Sequence, residues 1–300
     1  MEIVVEGLSV SYQRGTPMER DALSDLSLTI PAGAFAGVVG STGSGKSTLI
    51  RVLGGLLLPT RGRVRIGSVL ITPERQPPAS FAGQVGVVFQ FPEHQLFAET
   101  VAEDIAYGPR NLGLAKEEAA ARVRRAMEWV GLPPEVADRS PFRLSGGEMR
   151  RAAIAGVLAM EPRLLLLDEP TAGLDPAGRR ELMERIHLLH RERGMGVVLV
   201  SHDMDEVARH ADHLFVLSQG RCVFSGPPSQ LFAQRERLLQ WGLNLPETVR
   251  LIRRLNRRLD PPLPLDFSVD ALEEELIRRL RSAKPDRGSV PAAREDGGAV

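Results

Sequence analysis

FAGVVGSTGSGKSTLIRVLGGL, residues 35–56, sets an apolar strand against a glycine-rich turn and then an apolar, helix-compatible stretch. At its centre, residues 40–48 read GSTGSGKST. Strand, turn and helix in that order form a setting in which backbone N–H groups wrap phosphate oxygens and the helix N-terminus adds its partial positive charge. Gly40, Ser41, Thr42, Gly43, Ser44, Gly45, Lys46, Ser47 and Thr48 are therefore the candidate phosphate cradle. Lys46, one of only three lysines in the chain, would reach the β- and γ-phosphates of a nucleoside triphosphate, and the Ser47 hydroxyl would ligate magnesium. This fold element implies an α/β core.

A phosphate cradle needs a partner, and LLLLDEP, residues 164–170, supplies one. Four leucines make a buried strand whose end delivers Asp168 to the magnesium shell. The adjacent Glu169 can orient and deprotonate an attacking water. These residues together say nucleoside triphosphate hydrolysis. LSGGEMRR, residues 144–151, adds a second anion-binding helix start, with Ser145, Gly146, Gly147 and Glu148 at its opening. One chain cannot readily fold this second phosphate site onto the first. A head-to-tail pair, each subunit capping the nucleotide held by the other, accounts for both.

Around these motifs, apolar or alternating runs at IVVEGLSVSY, LSLTI, FAGVVG, RVRIG, VGVVFQ, LLLLD, GVVLVSH and HLFVLSQGRCVFSG read as strands, the last as a hairpin turning at Gln219 and Gly220. Helical stretches lie between several of them, which predicts a mostly parallel sheet with helices on its faces. The early strands lack such helices and predict an added antiparallel piece. After residue 228 the chain turns to arginine-rich helices, and a final one, capped by Ser268, places Leu272, Leu276 and Leu280 on one face. Residues 283–300 have almost nothing to bury and are expected to be disordered. Composition is that of a globular protein, and 38 basic residues balance 38 acidic ones, so no global field draws nucleic acid. No apolar run approaches the length needed to cross a bilayer, and the start, MEIVVEG, lacks a secretory pattern. Cys222 is the single cysteine, which excludes an internal disulfide.

The motifs, taken in order, resemble the ATP-binding cassette (ABC) family over residues 1–228. The resemblance implies a P-loop ATPase core with an antiparallel β subdomain and a helical subdomain, ATP and Mg2+ as cofactors, and further site residues. Tyr12 stands where the family stacks an aromatic ring on adenine. Gln90 stands where a glutamine reaches magnesium and water. AGLDP, residues 172–176, matches the D-loop and puts Asp175 among the nucleotide contacts, while His202 in VLVSHD is the switch histidine near the γ-phosphate. The signature departs from the family's usual LSGGQ, with Glu148 in the glutamine position, which is expected to tune ATP capture.

About a hundred residues separate Lys46 from Ser145, which excludes the long coiled coils of DNA-managing relatives, and one ATPase domain excludes the tandem translation-type ones. A transport ATPase is left. FQFPEHQLFAETVAEDIAYGPRNLGL, residues 89–114, resembles the energy-coupling factor transporters, specifically one ATPase of a non-identical pair. That implies a motor subunit of a vitamin or metal-ion importer at the cytoplasmic face of the cell membrane. Its partners are a second ABC ATPase, a membrane T component and a substrate-binding S component. Glu93, Gln95, Leu96 and Phe97 are the expected partner-binding residues, Glu93 meeting an arginine of the T component. Pro92 is expected to end the strand and hold Phe91 extended. Residues 229–282 form a helical extension of the kind in which the family places dimer contacts. An ATPase of another importer or exporter, a soluble regulatory cassette protein, and a homodimer remain alternatives.

Overall fold

The computed structural model describes residues 1–263 and 269–282; Ser268 and the tail from 283 lie outside the described residues. The chain divides into two compact units, 1–246 and a second beginning at Glu247.

In the first unit, β1 (Ile3–Tyr12), β2 (Arg20–Ile30), β4 (Arg61–Ile66) and β5 (Val69–Ile71) form an antiparallel sheet in the order β2-β1-β4-β5. Along β1, inward Ile3 and Val5 alternate with more exposed neighbours, the register then shifts past Gly7, which is left-handed at φ 56°, and Leu8 and Val10 resume the inward alternation of a sheet covered on one face. A second sheet runs β10-β9-β3-β8-β7-β6, from β3 (Phe35–Val39), β6 (Val85–Val88), β7 (Leu164–Asp168), β8 (Gly196–Val200), β9 (His213–Ser218) and β10 (Arg221–Gly226). Only β10 is antiparallel to its neighbour. Every residue of β3, β7 and β8 is buried, as continuous apolar runs covered on both faces require.

Helix α1 (Lys46–Leu53) follows β3. Three helices, α2 (Val101–Asn111), α3 (Lys116–Val130) and α4 (Gly146–Leu158), pack on one another between β6 and β7. Thr100 caps α2 by accepting from the Glu103 N–H, and Gly131, in the left-handed region, ends α3. Helices α5 (Pro176–Arg193) and α6 (Met204–His210) flank β8 in the chain. Beyond β10, α7 (Pro228–Ala233) and α8 (Arg235–Gln240) still belong to the first unit and bury Leu231, Phe232 and Leu238 completely.

The second unit holds α9 (Glu247–Leu255) and α10 (Val269–Ser282). Among the described residues, Ile252, Leu263 and Leu272 form a small core there, with Leu255, Leu259 and Leu276 partly buried against it. Burial fades along α10, and Leu280 is 69% exposed.

Candidate active site

Four adjacent parallel strands, β3, β8, β7 and the edge strand β6, end on the same side of the sheet, and each leads to a candidate residue there, the usual place for ligands in open α/β sheets. β3 runs into the glycine-rich turn, β6 into Gln90, β7 ends on Asp168, and β8 leads to Ser201 and His202. The turn is built around glycine. At Gly45, with φ of 104°, a Cβ would lie 2.6 Å from the Ala22 carbonyl oxygen, and at Gly40 it would lie 2.3 Å from that of Leu217. The Lys46 Nζ donates across the turn to the carbonyls of Gly40 (2.8 Å) and Ser41 (3.0 Å). Burial lowers the Lys46 pKa, and the charges of Glu169 and Asp168 oppose that effect. Ser44 Oγ is buried without a hydrogen-bond partner, a polar atom inside a cradle whose chemistry suits an anion.

Burial pushes the Asp168 carboxyl above its ordinary range, and a hydrogen bond from Ser47 works against the rise. Ser47 and Asp168, two of the three expected magnesium ligands, are thus neighbours. Glu169 has its N–H bonded to the Val200 carbonyl at 2.9 Å and its backbone in the left-handed region, φ 52°. That is uncommon for a non-glycine residue and is a conformation found at sites where geometry matters more than local comfort. Its Oε2 accepts from Gln90 Nε2 at 3.1 Å and lies 3.3 Å from His202 Nδ1. Residues 79 and 33 positions apart in the chain therefore meet on one carboxylate oxygen. Tyr12 stands beside the turn, its hydroxyl 3.3 Å from Thr48 Oγ1. The cavity between them is also lined by Arg20, which sequence reasoning missed because an arginine on an exposed strand carries no motif.

The second candidate anion-binding element starts with a formed capping box. Ser145 is the N-cap of α4, with its side chain bonded to the Glu148 N–H and the Glu148 side chain returned to Ser145. Asp175 caps α5 by accepting from the Gly178 N–H at 2.7 Å. Arg179 pairs with Asp203 at 2.6 Å, which ties the start of α5 to the segment after His202. Arg151 and Arg185 pair with Glu181, whose carboxyl they hold down at about 2.

The loop after β6 departs from expectation at two points. Phe91 is left-handed, φ 55°, rather than extended, and a 3-10 turn, Pro92–Gln95, follows it. Its ring stacks on His94 and lies 5.8 Å from the Arg150 guanidinium carbon, contacts that offset the backbone preference. The Glu93 carboxylate, expected to meet a guanidinium from outside, holds Arg150 of this chain through both oxygens, at 2.6 and 3.0 Å. Arg150 is 3% exposed and extends Nη1 to the carbonyls of Pro170 and Ala172. Burial alone would raise the Glu93 pKa, and the Arg150 hydrogen bonds outweigh it. Leu96 is buried, Gln95 is exposed, and Phe97 is 60% exposed with its ring edge-on to Tyr107 at 5.0 Å.

Residues 23–172 match the family model described as ABC transporter. The chain is 50% identical over 289 residues to the energy-coupling factor transporter ATP-binding protein EcfA2 of Symbiobacterium thermophilum, covering 95% of this chain and 100% of that one. The protein of the same name from Caldanaerobacter subterraneus subsp. tengcongensis is 47% identical, over 95% of this chain and 99% of its own. Among solved structures, cbiO1 from Clostridium perfringens, part of the ABC transporter complex cbiONQ, superposes with a TM-score of 0.71. It is 35% identical, over 86% of this chain and 95% of that one. The ATP-binding cassette MJ0796, a dimer bound to ADP and Pi in a post-hydrolysis state, gives 0.68 at 28% identity, over 75% of this chain and 98% of its own. With its phosphate cradle, acidic strand end and capped signature helix in place, the chain belongs to the ABC transporter family, among the energy-coupling factor transporter ATP-binding proteins.

Proposed function

We propose that this chain is the ATP-hydrolysing subunit of an energy-coupling factor importer for vitamins or transition-metal ions. It pairs with a second ABC ATPase and drives a membrane T component and a substrate-binding S component. Among the described residues no helix is long and apolar enough to cross a membrane, and the attachment to the cytoplasmic face is through those partners. The observation that carries the reading is the meeting of Gln90 and His202 on the Glu169 carboxylate beside the Lys46 turn.

In this reading the turn at 40–48 binds the triphosphate, with Lys46 on its terminal groups and Tyr12 against the base. Glu169 accepts the proton of the attacking water while Gln90 and His202 hold that water and the carboxylate in line. Ser145, Gly146, Gly147, Glu148 and Asp175 face the nucleotide of the opposite subunit. Among the described residues no group of three or more His, Cys, Asp or Glu side chains could hold a metal by itself. A magnesium ion carried by the nucleotide needs only a few protein oxygens, and the Ser47 hydroxyl, the Asp168 carboxylate and Gln90 fit that need. Bound magnesium would offset charge on the β- and γ-phosphates. The exposed pair Phe97 and Tyr107, with Gln95 beside it in the chain, offers the partner-facing surface, and Glu93 serves behind it.

The test joins assembly to chemistry. Purified from native membranes, the chain should bring a polytopic membrane protein with it. Glu169→Gln in that complex should keep ATP binding and slow hydrolysis by about two to four orders of magnitude. Recovery without a membrane partner, or near-normal turnover in the variant, would overturn the reading.

A further inference from the structure

In the signature helix the acidic residue at 148 does more than replace an amide. Glu148 Oε2 accepts from both the Ser145 N–H (2.8 Å) and the Ser145 hydroxyl (2.7 Å), while the Ser145 Oγ accepts in turn from the Glu148 N–H (3.3 Å). A serine hydroxyl has one proton to donate, and here it goes to a carboxylate of the same chain. The carboxylate also puts a full negative charge at the positive end of α4, where it offsets the field that would attract a phosphate. Its hydrogen bonds from the Ser145 side chain and backbone hold its pKa below the ordinary range, with Arg139 and Arg151 adding to the effect. It therefore stays ionised throughout neutral conditions.

We infer that Glu148 is a latch on the signature serine, a positioning residue that competes with the γ-phosphate of the opposite subunit's nucleotide for the Ser145 hydroxyl proton. The inference rests on the reading of this helix as the cap of a partner's ATP. For closure, the hydroxyl turns from the carboxylate to the phosphate, and two like charges are brought near one another. The composite site capped by this chain thus closes at a higher ATP concentration than the same site with a neutral residue at 148. A glutamine would keep the return bond to the Ser145 N–H, because its side-chain carbonyl accepts as the carboxylate does, so the start of α4 would stay formed. What it removes is the charge and its claim on the hydroxyl.

The experiment compares the intact membrane complex carrying the unaltered chain, Glu148→Gln or Ser145→Ala, measuring ATP hydrolysis against ATP concentration at about 0.05 M and about 0.5 M salt. Glu148→Gln should lower the half-saturating ATP concentration about two- to fivefold at low salt, the range expected for a partly exposed charge contact. It should change the half-saturating concentration more than the maximal rate. The advantage should shrink at high salt as the unaltered site's repulsion is screened. Ser145→Ala should impair hydrolysis at both. An unchanged half-saturating concentration in Glu148→Gln, or a shift of the same size at both salt levels, overturns the latch if Ser145→Ala is impaired. If Ser145→Ala is also indistinguishable from the unaltered complex, the reading of the helix as a nucleotide cap fails as well.

Discussion

Arg150 joins three segments with one side chain. It meets both oxygens of Glu93 in the loop after β6, and its remaining nitrogen meets carbonyls of Pro170 and Ala172 after β7. A guanidinium this well buried tolerates its position because its donors are used. Removing Glu93 strands the charge. Glu93→Ala should therefore destabilise the isolated chain by about 3–5 kcal/mol, and Glu93→Gln, which keeps an acceptor, by less. Urea unfolding of the isolated chain checks this; a midpoint unchanged in the alanine variant would mean that the pair does not hold the loop. Loss of transport in such a variant would follow from the displaced loop without any contact between Glu93 and a membrane partner. Candidate site residues stood out where chemistry imposes a local motif: Lys46, Ser47, Asp168 and Glu169 each stand in a run of neighbours that singles them out. The acceptor of Arg150 was not legible, because it lies 57 residues upstream and any exposed carboxylate looks like any other in sequence. Glu93 stood out as an acid in a motif, and the motif said nothing about which guanidinium it serves.

Elements were legible to the extent that their periodicity was. Continuous apolar runs gave β3, β7 and β8, and alternation gave β1; the three-residue β5 is too short to show a period. The order β10-β9-β3-β8-β7-β6 was hidden, since it is decided by which faces the helices cover after the chain has crossed over. The stretch after β10 shows the same limit. Arginine-rich helices begin near residue 228, yet α7 and α8 insert Leu231, Phe232 and Leu238 into the first unit, so composition changes before the core ends. A deletion starting at 229 would remove these three core side chains and confuse unfolding with loss of assembly. The informative deletion starts at Glu247. We expect it to weaken pairing with the second ATPase in the absence of nucleotide, as measured by sedimentation, because among the described residues the second unit's own core is three buried side chains and Leu251, Ile277 and Leu280 are exposed. Equal pairing with and without that unit would assign it another role.

At the scale of the whole molecule, zero formal net charge means that response to acid depends on particular buried groups. Two of them lie one turn apart on α6. Burial drives the His210 pKa from 6.5 to about 4, helped by His187 and Arg209. Between those values the unfolded chain takes up a proton that the folded chain refuses, so this contribution is full above about pH 6.5 and declines as pH falls toward 4, by about 3 kcal/mol in all. Glu206 acts in the opposite sense. Burial raises its pKa against hydrogen bonds with Ser201 and Thr171, so the folded state holds a proton longer, and its contribution drains away as pH rises through that raised value. Denaturant unfolding across pH should show stability falling below neutrality, and His210→Leu should flatten the slope; an equally steep slope in the variant would place the acid response elsewhere. The β9–β10 hairpin, finally, bears on how the protein can be handled. Its tip is a two-residue turn, Gln219 and Gly220, with Gln219 exposed, and exposed tips are where epitopes and fluorescent reporters are commonly grafted. Here the Gly220 N–H bonds the Ser44 carbonyl, its own carbonyl takes the Ser24 N–H, and a Cβ at Gly220 would come within 2.8 Å of the Ala22 carbonyl oxygen. The tip is a strut under the phosphate turn, so a label for following this motor belongs on another surface.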